Sequence, residues 1–347
     1  MSKQSILDIP LTDWPEMIKG LGGESYRAGQ LVEWVFKKRA AHFSDMTTLP
    51  APFRQKMEEK FELHTLFLDH AMTSELDGTT RYFFKTMDEQ IVSCVFLPHK
   101  NRVSLCISTQ VGCAWGCVFC ASGLVKFERN LTPAEIVGQV MLVEKASGKK
   151  VDSILYMGMG EPLANYNSVV ASLQLIRSDL ALGFGARHVT VSTCGLVPQI
   201  QKLAVDAPKI NLAISLHAAN DELRKKLLPK SSSWTIKELL NATKEYSMKT
   251  DARVTFEYIV LGGVNDSEQD AKRLANLIRK LAENGDYWVN LIAYNPVPGL
   301  SYVRPQPEAI TMFEEILTAR KVPVRLRKPQ GVDIGAGCGQ LGEAVNG

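Results

Sequence analysis

The sequence has no stretch of about 18 uninterrupted apolar residues, and its first residues, MSKQSILDIPLTDWPEM, lack the apolar centre of a secretion signal. These absences argue against a membrane-spanning helix and lead us to expect a cytoplasmic protein. Charge of one sign is also missing: 40 Lys and Arg stand against 37 Asp and Glu, a net charge of +3. Bulk charge is thus a weak argument for a polyanionic partner, and only local clusters speak for one. Four are visible: Lys37, Lys38 and Arg39; Lys149 and Lys150; Arg224, Lys225 and Lys226; Arg325, Arg327 and Lys328. Each can equally be a solvated face. Nor do the cysteines suggest a disulfide framework, because seven is odd and a reducing cytoplasm keeps thiols free. With 45% hydrophobic and 22% charged residues, the chain is neither disordered nor fibrous and can bury one large core with an appendage.

Residues 11 to 62 show helical spacing, with Leu31, Val32, Trp34 and Val35 recurring between charges and Pro50 and Pro52 as breaks. From 63 to 98 short alternating runs around Thr80–Phe84 and Ile91–Phe96 read as a small strand layer. Strand and helix then alternate. β-branched runs lie at Val103–Ser108, Ser153–Met157, His188–Ser192, Ile210–Leu216, Val254–Val260, Trp288–Ala293 and Val322–Leu326. Helical patterns between them include Pro133–Lys145, Ser168–Arg177, Ser267–Ala282 and Glu308–Ala319. Repeated βα units predict an α/β fold, a parallel sheet curled into a full or partial (β/α) barrel with its site at the C-terminal strand ends. The expected organisation is a helical N-terminal domain at 1–62, a strand-rich connecting segment at 63–98, the barrel at 99–331 and a tail at 332–347.

Unusual residues cluster just after the strands. Cys113, Cys117 and Cys120 form a C-x3-C-x2-C run in a loop opened by Gly112 and loosened by Gly116. Three thiolates on one short loop can hold three corners of an iron–sulfur cube and leave the fourth iron open. Zinc is the competing reading, but structural zinc takes four closed ligands, and no C-x2-C or H-x3-H pair lies nearby. A redox C-x-x-C would not need Cys113. Gly158-Met159-Gly160-Glu161-Pro162 follows the next strand, where glycines allow a ligand close to the backbone and a carboxylate can pair with an ammonium group. Alone, such a loop reads as a tight turn. Ser192, Ser215, His217 and Asn295 add hydroxyl, imidazole and amide groups, each as easily a satisfied structural group.

The three-cysteine spacing, with Phe119 just before the last cysteine, resembles the radical S-adenosylmethionine (SAM) superfamily. Across essentially the whole chain the resemblance narrows. SLCISTQVGCAWGCVFCASG, LYMGMGEPLANY, VTVSTCGLVPQI, LAISLHAANDELRKKLLP, EYIVLGGVND, NLIAYNPVPG and GVDIGAGCGQL are similar to motifs of the RlmN/Cfr methyltransferases. This resemblance implies one 4Fe–4S cluster on Cys113, Cys117 and Cys120, whose open iron chelates SAM for cleavage to a 5′-deoxyadenosyl radical. It implies SAM contacts from Gly160, Glu161, Ser192, Ser215, Leu216, His217 and Asn295, two SAM molecules per turnover, and a flavodoxin- or ferredoxin-type electron donor. It also implies a monomer with an RNA-binding N-terminal domain. RlmN-type enzymes methylate C2 of an adenosine in the peptidyl-transferase centre of 23S rRNA, and many also treat an adenosine beside the tRNA anticodon. Cfr-type enzymes attack C8 of the same ribosomal base, and Pro162 after Glu161 resembles the RlmN branch.

C2 of adenine is an electron-poor carbon that cannot displace the SAM methyl group as a thiolate can. By match of motif, the resemblance makes Cys338 the methyl carrier and Cys106 the thiol that resolves the protein–RNA adduct through a transient disulfide. Glycines around Cys338 suggest a mobile tail. Cys94 and Cys194 match neither role and read as small core residues. Two positions depart from the family pattern. Ser93 stands where the family carries a glutamate base, and a serine hydroxyl is a poor base at neutral pH. Glu89, four residues earlier on the same strand face, would lie about 13 Å away. Gly337 replaces the usual alanine and should loosen the tail. Other open readings are Cfr-like C8 methylation, a radical SAM enzyme acting on a peptide or metabolite, and a zinc-stabilised RNA-binding module.

Overall fold

The computed structural model describes residues 3–282 and 285–342. The β-branched and aromatic runs pair into one ten-stranded sheet. Its first three strands, β1 (Leu66–Thr73), β2 (Thr80–Thr86) and β3 (Ile91–His99), form an antiparallel meander. β3 pairs antiparallel with β4 (Arg102–Cys106), so segment 63–98 continues the barrel sheet instead of forming its own layer. Every later neighbour is parallel: β5 (Ser153–Tyr156), β6 (Val189–Thr193), β7 (Asn211–Ser215), β8 (Val254–Val260), β9 (Tyr287–Ala293) and β10 (Val324–Leu326). β10 and β1 are the two edges and do not pair, so the barrel is partial.

Crossover helices make the parallel order possible. The first, Pro133–Ser147, starts on a Thr132–Glu135 capping box and stops at Gly148 in left-handed conformation. Helix Ile236–Thr250 uses the same box from Thr235 and Glu238. Their apolar faces cover the outside of the sheet: Tyr258 of β8 is buried with its ring 5.6 Å from Phe313 of helix Pro307–Ala319. The alternate residue Glu257 points the other way, bonding Asn290 of β9.

The N-terminal part contributes helices Trp14–Gly20, Arg27–Val32 and Ala51–Lys60. Pro50 and Pro52 do not break a helix here. They open the third one, where a missing N–H costs nothing. Trp14, Ile18, Phe36, Phe53 and Met57 join the same apolar core as the barrel. Lys37 Nζ donates to Ala181 O at 3.1 Å, and Arg39 pairs with Glu144 at 2.8 Å. Two cations of the first basic cluster therefore fasten the domain to the barrel. With Lys149 and Lys150 they line a groove of about 610 Å³ by the loops that precede β5 and β6, away from the cysteine loop.

Beyond β10 the chain crosses the open edge to the meander. Gly331 N donates to Asp77 Oδ2 at 2.9 Å, Gln330 Nε2 to Pro98 O at 3.3 Å, and Arg81 Nη1 to Gly335 O at 3.1 Å. Residues 343–347 of the expected tail lie outside the described residues. No helix among the described residues is long and apolar enough to cross a membrane.

Candidate active site

The cysteine loop follows β4 and carries Cys113, Cys117 and Cys120, all half-buried. Burial pushes the Cys113 thiol up to about 12 and the Cys120 thiol to about 11, and the neighbouring thiols add to both shifts. The three therefore share one neighbourhood. Yet no group of three or more His, Cys, Asp or Glu among the described residues converges as a single ion requires. A cube gives each of three thiolates its own iron, whereas structural zinc takes four closed ligands. Trp115 Nε1, buried in the same loop, has no partner, and an anionic sulfur cage would accept its hydrogen bond. Cys194 is half-buried and sits at the edge of the apolar core, packed with Cys117 and Cys120 against the cluster that includes Phe119.

The Gly158–Pro162 loop is packed more tightly than ligand access alone would need. Gly160 has φ +103°, and a Cβ there would meet Gln110 at 2.6 Å. Gln110 Oε1 accepts from Glu161 N at 2.9 Å. The Glu161 carboxylate is buried; it accepts from Leu163 N at 2.9 Å and from Cys194 N at 2.6 Å. Burial raises its pKa, and those N–H groups oppose the rise. Glu161 thus ties together the loops that follow β5 and β6.

His217, after β7, has φ +57°. Its Nδ1 accepts from Ile259 N at 3.1 Å, which leaves the proton on Nε2. Burial pushes its pKa to about 3, so the ring is neutral, edge-on to Phe119 at 5.0 Å. Leu216 beside it is buried, whereas Ser192 and Ser215 are half-buried at the ends of β6 and β7. Asn295 is turned to the tail: its Nδ2 donates to Cys338 O at 3.2 Å, and its Oδ1 accepts from Arg304 Nη1 at 3.3 Å.

The tail is docked over its described length. Ala121 N, one residue past Cys120, donates to Gly339 O at 2.8 Å, and Ser122 Oγ donates to Leu341 O. Gln340 Nε2 holds Pro296 O at 2.9 Å. Ala336 and Leu341 pack with Val95 and Cys106. Cys338 itself is exposed. The Cys106 thiol is pushed up to about 12 by burial and by Cys338, with Arg327 pulling the other way. So the segment that carries Cys338 lies against Cys106 beside the cysteine loop. Gly337 does not loosen this segment: a Cβ there would meet Gln340 Oε1 at 2.6 Å and Asn295 Nδ2 at 3.0 Å, so glycine lets the tail close down.

Ser93 is buried on β3, with its hydroxyl accepting from Arg81 Nε at 3.3 Å. A hydroxyl facing a guanidinium is a still poorer base. Glu89 is not on the strand at all; it sits in the preceding turn at φ +64° and pairs with Lys85. Sequence reasoning passed over Arg81 and Glu257, and read Arg327 only as part of a basic cluster. A signal existed for the first two, because Thr80-Arg81-Tyr82-Phe83-Phe84 and Val254-Thr255-Phe256-Glu257-Tyr258 each place one charge in a buried strand.

Comparison with known proteins bears on this geometry. The family model described as the radical SAM superfamily matches residues 107–275, and one described as a ribosomal RNA large subunit methyltransferase N-terminal domain matches 4–63. The chain is 42% identical to a dual-specificity RNA methyltransferase RlmN of Anaeromyxobacter dehalogenans, covering 96% of this chain and 90% of the relative. It is also 42% identical to a probable RlmN of Bacillus subtilis, covering 98% and 93%. A crystal structure of a radical SAM methyltransferase from Sphaerobacter thermophilus matches with TM-score 0.91 at 39% identity, over 97% of this chain and 98% of that one.

Proposed function

Because the chain belongs to the RlmN family of radical SAM RNA methyltransferases, we propose that it methylates C2 of an adenosine in 23S rRNA and of an adenosine beside the anticodon of tRNA. The route runs through a methylated Cys338 and a transient Cys106–Cys338 disulfide. The observation that carries this reading is the docking of the Cys338 segment on the cysteine loop and against Cys106. When bound to Cys113, Cys117 and Cys120, a 4Fe–4S cluster together with SAM, two molecules per turnover, supplies the methyl group and the radical that an electron-poor carbon needs.

The protein's own part is binding and orientation. Gly160, Glu161, Ser192, Ser215, Leu216, His217 and Asn295 hold SAM, with neutral His217 offering its Nε2 proton. Cys338 takes the methyl group on its sulfur; once that methyl has given up a hydrogen atom to the radical, its carbon bonds to the base. The Cys106 thiolate then attacks the sulfur of Cys338; the S–S bond forms as the sulfur–carbon bond breaks, its electron pair passes to the adenine-bound carbon, and a proton completes the product methyl. Cellular thiols reduce the disulfide afterwards. The C2 proton leaves to a group other than Ser93. A structured adenosine must leave its stack to reach the mouth, and we assign its grip to the N-terminal domain of a monomeric, cytoplasmic enzyme served by a flavodoxin- or ferredoxin-type donor.

Two replacements separate the thiols. Cys338→Ala should accept no methyl group and form no adduct, whereas Cys106→Ala should take the methyl, react once and stay attached to RNA as a nuclease-sensitive shifted band on a denaturing gel. Normal turnover by Cys106→Ala would end its assigned role. Chromatography with mass spectrometry of the digested RNA distinguishes C2 from C8 methyladenosine and so tests the regiochemistry, for which Pro162 is the supporting residue.

A further inference from the structure

Arg224 stands in a run of three basic residues, but Lys225 and Lys226 are exposed whereas Arg224 is only 3% exposed. It lies on helix Asp221–Leu227, with its guanidinium turned inward to the strand ends. The β6–β7 ladder stops at the pair Thr193 and Ile214, and Cys194 and Ser215 are the next residues on the two sides. Arg224 Nη2 donates to the carbonyl oxygens of both, to Cys194 at 2.5 Å and to Ser215 at 3.4 Å. The cation thus stands in for the rung that the strands no longer make. Nη1 donates to Ser231 Oγ at 3.0 Å, and that hydroxyl donates to Leu228 O at 2.9 Å. One prong of the fork is therefore anchored while the other spans two chain segments. At its C-terminal end the same helix meets the cysteine loop, where Val118 N donates to Leu227 O at 3.1 Å.

We propose that Arg224 is a positioning residue for SAM, a clamp that fixes the gap between the loop after β6 and the end of β7; this rests on the SAM contacts assigned above. Those contacts flank its two acceptors. Cys194 comes two residues after Ser192 and gives its N–H to the Glu161 carboxylate at 2.6 Å, so the two peptide groups of one residue tie Glu161 to Arg224. Ser215 is itself one of the contacts, and Leu216 and His217 follow it directly. A shift of Cys194 would therefore carry Glu161 with it, and a shift of Ser215 would carry His217. Gly195, at φ +103°, lets the loop close down on the clamp, since a Cβ there would meet Leu239 Cδ1 at 2.9 Å and Arg224 Nη2 at 3.4 Å. Such a role needs a rigid planar fork. A lysine ammonium is a single point of charge and cannot hold Ser231 while bridging two carbonyls.

The test needs neither RNA nor turnover. Full-length enzyme is reconstituted anaerobically with iron and sulfide, SAM affinity is measured by equilibrium dialysis, and the reduced cluster is followed by electron paramagnetic resonance with and without SAM. Arg224→Lys should keep the native iron content and the native spectrum without SAM, yet bind SAM about tenfold more weakly. The spectral change on SAM binding should need correspondingly more SAM. Ser231→Ala removes the anchor of Nη1 and should weaken SAM binding about threefold, which keeps the idea testable if Arg224→Lys loses its iron or fails to fold. Native affinity in Arg224→Lys, or in Ser231→Ala where the first variant fails, would overturn the proposal and leave the SAM contacts standing. A native enzyme that binds no SAM would instead overturn the contacts and the clamp together.

Discussion

His217 combines a left-handed backbone, which non-glycine residues rarely adopt, with an imidazole sealed from water. Together they hold a neutral ring at a fixed angle at the end of β7. A ring whose pKa falls from 6.5 to about 3 on folding stabilises the fold above pH 6.5, where unfolded histidine is also neutral. That contribution fades as pH drops from 6.5 toward 3, because the unfolded chain takes up the proton first. Between pH 6.5 and 4 the loss is roughly 3 kcal/mol. Chemical denaturation across this range should show a steeper fall for the native protein than for His217→Gln, and equal slopes would remove the buried-neutral assignment. A second outcome concerns the cysteine loop. Cys117→Ala should lose most bound iron after anaerobic reconstitution, and full iron content would exclude the cluster ligands named above.

At the scale of elements, the strands were legible because β-branched runs bounded by turn residues leave few alternatives. The run Val103–Ser108 became β4 at Arg102–Cys106, and Val254–Val260 matched β8 end to end. Helices Asp221–Leu227 and Val197–Asp206 were less legible, being short or interrupted by polar residues. Illegible altogether was what each charge touches. Arg39 meets Glu144, and Arg81 meets Gly335, across separations that no local pattern encodes. The first of these contacts is testable. Arg39 and Glu144 are only 23% and 14% exposed, so Arg39→Ala should cost about 2 kcal/mol, less than a fully buried pair would. A double-mutant cycle with Glu144→Ala should return a coupling above about 1 kcal/mol. Additive effects would mean that the apolar contacts alone hold the domain. Reversal of Lys37 and Arg39 would disturb that attachment as well as any RNA contact, whereas Lys38, paired with exposed Glu33 at 3.2 Å and lying over the Trp34 ring at 4.0 Å, both within its own helical segment, is the better probe of RNA binding.

For the molecule as a whole, the decisive fact is that the sheet never closes by strand pairing. The chain after β10 covers the gap, reaching Asp77, Pro98 and Arg81 on the meander and then Ala121 and Ser122 beside the cysteines. Ending the chain after Lys328 should lower the thermal midpoint by several degrees, since each kcal/mol is worth about 2–4 °C in a chain of this order. Cys338→Ala should leave the midpoint within about one degree, because that side chain is exposed. Identical midpoints for the two would show that the segment adds nothing to closure. Deletion and substitution consequently ask different questions of this protein. A deletion breaches the wall and removes the thiol at once, so a dead product of that experiment has two causes that activity alone cannot separate. Replacing the single sulfur leaves the wall standing, and only then does a lost methyl group speak about chemistry.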